Sequence, residues 1–277
     1  MVAYSILNDI ADYVMSIIEK FPLKLSSLVI GLRYAIAVVE GVEGEAAGLC
    51  FVDVLDAVYD PMPLQVELNS IRSLLLSPYH LWRIAGLAIA NAVSQHLLWN
   101  CGRSSAYAIE VAKNSESIIK HLRSKRRVLV VGNMGPLVKA LRDAGMQPLI
   151  VERSPLLRLH AFTDTAIKFV SEEVEAAIIT GATIPNDTLP MVLALLPHAK
   201  PRIVVGPTAQ VDPQLLFKYG VDIIASTRVT NITLALRIIE RGGGRHDLSK
   251  AVEDYIVYSS PSEYYHNNFL QRSNSSN

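Results

Sequence analysis

The chain has 277 residues, half of them hydrophobic and 19% charged, and its 26 basic and 26 acidic side chains cancel to a formal net charge of zero. That balance excludes the basic footprint nucleic-acid binding needs; Lys125-Arg126-Arg127 alone reads as a solvated turn before a strand. Two cysteines, Cys50 and Cys101, are too few for a multi-thiolate zinc site and are expected to stay reduced, as in a cytoplasmic protein. Asn8, Asp9 and Asp12 interrupt the apolar core a signal peptide would need. The most apolar segment, residues 81–99, carries Arg83, Gln95 and His96, so it is expected to be a core helix and not a membrane span.

Ile6, Leu7, Ile10, Val14, Ile17 and Ile18 recur at helical spacing, which predicts an amphipathic helix over residues 4–20. Residues 27–39 and 45–55 are β-rich runs, and the glycines of Glu40-Gly41-Val42-Glu43-Gly44 between them favour an antiparallel hairpin. Helices are expected over 65–76 and 78–99, the second opened by Ser77 and Pro78 in cap and first-turn positions. Residues 106–123 connect this half to the next and are expected to include a helix.

From about residue 126 the order becomes strand, helix, strand, helix. Strands are predicted at 128–131, 148–152, 176–180, 202–206 and 222–225, each rich in Val or Ile as in strands covered on both faces. Helices are predicted at 137–144, within 157–170, and at 188–196, 213–219 and 230–241, the last stopped by Gly242-Gly243-Gly244. Such alternation specifies an α/β fold with a Rossmann-like, doubly wound parallel sheet, preceded by a smaller α+β part. The expected divisions are 1–108, 109–258 and a polar tail at 259–277.

Ligands of open α/β sheets bind beyond the carboxyl ends of the strands. Gly132, Asn133 and Gly135 follow the first strand, and Glu152 ends the second, twenty positions after Gly132, where an acid can hold a ribose. The spacing falls short of a full dinucleotide fingerprint. Arg153 and Ser154 come next; Thr180, Gly181, Thr183, Asn186, Asp187 and Thr188 crowd the third loop, with Gly206, Pro207 and Thr208 after the fourth strand and Ser226, Thr227 and Arg228 after the fifth. The bland alternative for Asn186, Asp187 and Thr188 is a helix cap, and for Gly132 and Gly135 a tight turn. His160 and Asp164, four apart in an expected helix, share a face and with Glu152 form the candidate metal set. His96 and Cys101 near a helix end read instead as packing and capping.

Val131-Gly132 with Pro136, Glu152 with Pro155, Thr180-Gly181-Ala182-Thr183 with Asn186 and Thr188, and Val205-Gly206-Pro207-Thr208 with Pro213, Phe217 and Gly220-Val221-Asp222 together resemble the heavy-metal-chelation domain family, a domain of unknown function, over residues 110–250. Residues 31–38 and 44–49 and the helix containing Ala90-Asn91-Ala92 look like the enolase N-terminal domain that often precedes it. The resemblance implies a Rossmann-like second half, a ligand cleft between the halves, and a divalent heavy metal or metal chelate as what is bound. Asn133-Met134 stands where the family tends to carry an aromatic residue, which removes the basis for a carried-over stacking contact; Ser226 stands where a glycine is common.

The leading expectation is therefore a small anionic or metal-chelating ligand in an interdomain cleft, with Thr183, Asn186 and Thr208 as neutral partners, Glu152 as acceptor and Asn91 reaching in from the first half. The alternative is an enzyme using S-adenosylmethionine or NAD at the same loops. A homo-oligomer built on the apolar first half is compatible with either.

Overall fold

A computed structural model describes residues 5–57, 60–61 and 65–259, and its strands form two sheets. The first is an antiparallel meander of β1 (Lys24–Ile30), β2 (Tyr34–Gly41) and β3 (Gly44–Phe51). The expected hairpin is present, closed by the pair Gly41 and Gly44, with Gly44 at φ +104°. The run at 27–39 is two strands, because the chain turns back at Gly31-Leu32-Arg33. Past Phe51 the expected strand gives way to one helical turn, Val54–Ala57.

The helix Ile6–Ile18 starts at Ser5, whose hydroxyl accepts from Asn8 N, and buries Ile6, Leu7, Ile10, Ala11 and Val14. The apolar helix His80–Gln95 lies on one face of the small sheet and continues as a π-helical turn, His96–Asn100. Its N-cap is Tyr79; Ser77 instead accepts from Tyr79 N at 3.1 Å. Close approach explains the small residues of the facing strands: a Cβ on Gly48 would sit 2.1 Å from Ala92 N and 2.4 Å from Ala88 O. The opposite face packs Tyr34, Ile36, Val38 and Leu49 against Ala235 and Ile239 of the helix Ile232–Glu240. Among the described residues no helix is long and apolar enough to cross a membrane.

The second sheet contains β4 (Ala108–Val111), β5 (Arg127–Val131), β6 (Gln147–Glu152), β7 (Phe162–Thr163), β8 (Ala176–Thr180), β9 (Arg202–Val205), β10 (Ile223–Val229) and β11 (Val252–Tyr258). Their order is β4-β11-β10-β9-β8-β5-β6-β7. β10 through β7 run parallel, and β11 is antiparallel to both β10 and β4. The fold is thus mixed α/β with a parallel-rich sheet. The chain winds outward one way from β5 and the other way from β8, so the direction of winding reverses between those neighbours.

The five predicted strands are all present, whereas β4, β7 and β11 were not expected. The helix expected within 157–170 is largely absent: His160 has φ +57°, which a helix cannot accommodate, and Leu156, Leu157 and Leu159 are exposed. Only Ile167–Val170 is α-helical there. One apolar cluster runs from Ile6 and Ile10 through Leu87 and Ala88 to Leu129, Val204 and Val257, so both halves of the chain share a core.

On the far face of the large sheet, His121 packs edge-on to Tyr258 and lies 3.1 Å from its hydroxyl. Burial, reinforced by Lys120 and opposed by Glu110, pushes the His121 pKa from 6.5 down to about 4. The unfolded chain then binds more protons than the folded one between those values, so stability rises with pH across that window and is lost as pH falls from 6.5 towards 4. This ring should contribute about 2 kcal/mol of that loss, the full shift being discounted for its partial exposure. In chemical denaturation at pH 7 and pH 4.5, His121→Gln should narrow the difference; an unchanged difference would contradict the assignment.

Candidate functional site

The carboxyl ends of the parallel strands open into one cavity of about 800 Å³, lined by the loops after β5, β6, β8 and β9, the end of β10, and a roof of Tyr34, Phe51 and Asp53 from the small sheet. Gly132 makes the first turn possible. It has φ +93°, and a Cβ there would lie 2.8 Å from Thr180 Cγ2, so only glycine lets the β5 loop rest on β8 where the winding reverses. Gly135 does not need to be glycine for its turn: a Cβ there would meet nothing within 4 Å. Gly206 combines φ +111° with open space beyond it.

Glu152 holds two loops together. Its Oε2 accepts from Asn133 N at 2.8 Å and its Oε1 from Ser154 N at 2.7 Å, while Asn133 Nδ2 donates to Leu157 O at 2.8 Å. A carboxylate has about four acceptor positions, so two remain for a ligand. Glutamine retains one acceptor and turns an NH2 group on the other amide. Glu152→Gln is therefore expected to cost about 1–2 kcal/mol, read as a lower thermal midpoint with the fold kept; a wild-type midpoint would contradict this clasp.

In the β8 loop, Thr180 Oγ1 accepts from Ala182 N, Thr183 Oγ1 donates to Thr180 O at 2.8 Å, and Thr188 Oγ1 donates to Thr183 O at 3.3 Å. Thr188 is the N-cap of the helix Leu189–Ala194 but makes no side-chain cap bond, and Asn186 lines the cavity. Asp187, at φ +56°, accepts from Ile6 N, tying this loop to the first helix. Thr208 Oγ1 accepts from Phe51 N at 2.9 Å, and Ser226 Oγ donates to Gly206 O at 3.1 Å.

The proposed ligand set Gly132, Asn133, Gly135, Glu152, Thr180, Gly181, Thr183, Asn186, Thr188, Gly206, Pro207 and Thr208 thus lines one cavity. Asn91 does not line it. It is fully buried behind the wall, and its amide donates to Leu49 O at 2.7 Å and Thr208 O at 2.9 Å. With Gln210, which accepts from Leu49 N and donates to Thr227 O, it fixes β3 and hence the roof to the β9 loop. Arg228 also lies elsewhere, stacked over Trp99 at 4.8 Å and lining a separate 370 Å³ hollow.

Sequence reasoning missed the roof residues Tyr34, Phe51 and Asp53, and the wall residues Lys168, Arg245 and Asp254. No local pattern marks them, since they arrive from distant elements. Arg153 pairs with Asp53 and Asp56, and Arg245 grips both oxygens of Asp254 at 2.6 Å. Burial raises the Asp254 pKa and Arg245 opposes that shift. Burial also pushes Tyr34 up to about 12, so its phenol is a hydrogen-bond donor at neutral pH. The exposed Lys168 ammonium at the mouth has no ion-pair partner among the described residues.

The expected metal set is not assembled as a cluster. Glu152 and Asp164 line the cavity, whereas His160 is exposed and does not; the helix expected to put His160 and Asp164 on one face is largely absent. Among the described residues, the group of three or more ligating side chains close enough to share an ion is Glu43, His96 and Cys101, outside the cavity.

Residues 117–258 match the family model DUF364, described as "Putative heavy-metal chelation". An uncharacterized protein of Methanocaldococcus jannaschii is 36% identical over 156 residues, which are 56% of this chain and 57% of that protein, so the match spans little more than half of the relative. The crystal structure of a DUF364 protein of unknown function from Pyrococcus horikoshii superposes with a TM-score of 0.80 at 28% identity, covering 91% of this chain and 99% of that one. A DUF364 protein of unknown function from Desulfitobacterium hafniense has the same fold, with a TM-score of 0.71 at 20% identity and the same coverage of both chains.

Proposed function

The chain belongs to the DUF364 family, and from that premise we propose that it binds one small anionic or metal-chelating molecule in the cleft between residues 1–108 and residues 109–258. One observation carries this reading: strand-end loops of the large sheet and the aromatic edge of the small sheet line a single cavity of ligand size. In this reading the second half is Rossmann-like and the first is an enolase-N-terminal-like roof. Thr183, Asn186 and Thr208 offer neutral hydrogen bonds, Lys168 offers charge, and Tyr34 donates from above. A cytoplasmic location belongs to the same proposal. We place any contact between copies at the exposed Leu156, Leu159, Phe162 and Phe169 around edge strand β7, in place of the first half expected from sequence.

The nucleoside-cofactor reading is the weaker one. It asks the loop after β5 to cradle a cofactor, and Gly132-Asn133-Met134-Gly135-Pro136 falls short of the dinucleotide glycine spacing. Thermal-shift assays with nitrilotriacetate and EDTA, each with and without Ni2+, beside S-adenosylmethionine and NAD, test the choice. A chelate or free polycarboxylate should raise the midpoint of the wild type and raise it less in Lys168→Ala. A shift with a nucleoside cofactor alone would overturn the proposal.

A further inference from the structure

The hairpin turn between β2 and β3 meets the end of the apolar helix in a cluster that the cleft does not use. Oxygen, nitrogen and sulfur ligand atoms of Glu43, His96 and Cys101 all lie within 4.8 Å of one another. Two features of the backbone build it. In an α-helix, positions 96 and 101 would face about 140° apart. The π-helical turn His96–Asn100, closed by Cys101 N donating to His96 O at 3.1 Å, removes that separation and brings the thiol round to the imidazole. Single π turns occur frequently at functional sites. On the other side, a Cβ on Gly41 would lie 2.7 Å from His96 Nε2, so the absence of a side chain there leaves the imidazole its place.

We propose that Glu43, His96 and Cys101 form a binding site for one divalent cation of the zinc and cadmium class, with the fourth coordination position open to solvent. The donor set is one carboxylate, one imidazole and one thiolate, which prefers a borderline-soft cation to magnesium or calcium. Three protein ligands with an open position is a known arrangement for zinc. Ideal bonds to a tetrahedral ion place nitrogen and oxygen ligand atoms about 3.3–3.4 Å apart and sulfur about 3.6 Å from either. His96 Nε2 and Glu43 Oε2 are already 3.2 Å apart, and the half-exposed Glu43 on its turn has room to adjust. His96 is wholly buried, which fixes the ring, and Asn100 Nδ2, which donates to Glu45 O, lies 3.4 Å from its Nδ1.

This site is independent of the cleft. Tyr34, which lines the cleft, and Gly41, beside the cluster, are opposite ends of β2, about 23 Å apart at strand rise. It also lies outside the residues that match the family model.

The test is titration of the metal-free full chain with Co2+ and Cd2+, reading the near-ultraviolet thiolate-to-metal band and counting bound ions by native mass spectrometry. The wild type should take up one ion per chain with the band. Cys101→Ser should abolish the band and weaken binding by at least ~100-fold; Glu43→Gln should keep the band and weaken binding by ~10-fold. Both side chains reach solvent, so these variants should fold. Cys50→Ala should keep the band, because that thiol is buried in the core. Absence of a thiolate band in the wild type, or equal affinity in Cys101→Ser, would overturn the site. So would a bound ion that survives both variants and is lost in Asp164→Asn, which would move it to the cleft.

Discussion

Gly48→Ala is expected to lower stability by about 3 kcal/mol and the thermal midpoint by roughly 10 °C. The added methyl would lie 2.1 Å from Ala92 N, 2.4 Å from Ala88 O and 2.5 Å from Asn91 C, all backbone atoms that no rotamer change can move. Strand and helix must therefore separate. Leu49, the next residue, is held by Gln210 and Asn91, and Phe51 by Thr208, so the displacement reaches the roof of the cleft. Ligand-induced shifts should weaken along with stability. Gly135→Ala is the control: its Cβ has open space and its φ is not positive, so its midpoint should stay near that of the wild type. Equal midpoints for both variants would contradict the close approach.

The second large effect is expected at Asp212. This buried carboxylate accepts from Tyr13 and Tyr107 hydroxyls at 2.6 Å each, from Gln214 N at 3.1 Å, and from Arg103. Three of these partners come from elsewhere in the chain, so Asp212 joins the first helix and the connection between the halves to the loop after β9. Asp212→Ala leaves a partly buried guanidinium and two phenols without their acceptor. The expected cost is about 3 kcal/mol, at the lower end for a broken buried pair because Arg103 still reaches solvent. Tyr13→Phe removes one bond and should cost about 1 kcal/mol. Urea denaturation orders the two; a smaller loss for Asp212→Ala than for Tyr13→Phe would contradict the account.

The sequence exposes those parts of the fold whose residues face a single environment over several positions. The runs that became β5, β6, β8, β9 and β10 are apolar throughout because both faces are covered, and their carboxyl-end loops follow from that order. β11 escaped notice because its first residues, Val252-Glu253-Asp254, alternate in burial and only its antiparallel partner β10 makes them a strand. The helix expected within 157–170 failed at its start, where Leu157 and Leu159 are exposed and His160 has a positive φ that no local pattern announces. Asn91 was legible as a polar residue on an apolar helix. Whether it faced the ligand or the protein depended on where Leu49 and Thr208 lay, which no local pattern encodes. His96 and Cys101 were read from sequence as packing and capping; the same limit hid Glu43 beside them, because the association needs a π turn and a glycine hairpin at once.

The central claim is that the cleft is a binding site for a small anionic or chelating molecule. Native mass spectrometry of untagged protein, purified without chelators, tests it most directly when the wild type is run beside Glu152→Gln and Lys168→Ala. The account predicts an added small-organic mass on the wild type, with or without a metal, that both variants retain less well. A wild-type chain that stays bare, also after incubation with nitrilotriacetate–Ni2+, would contradict it.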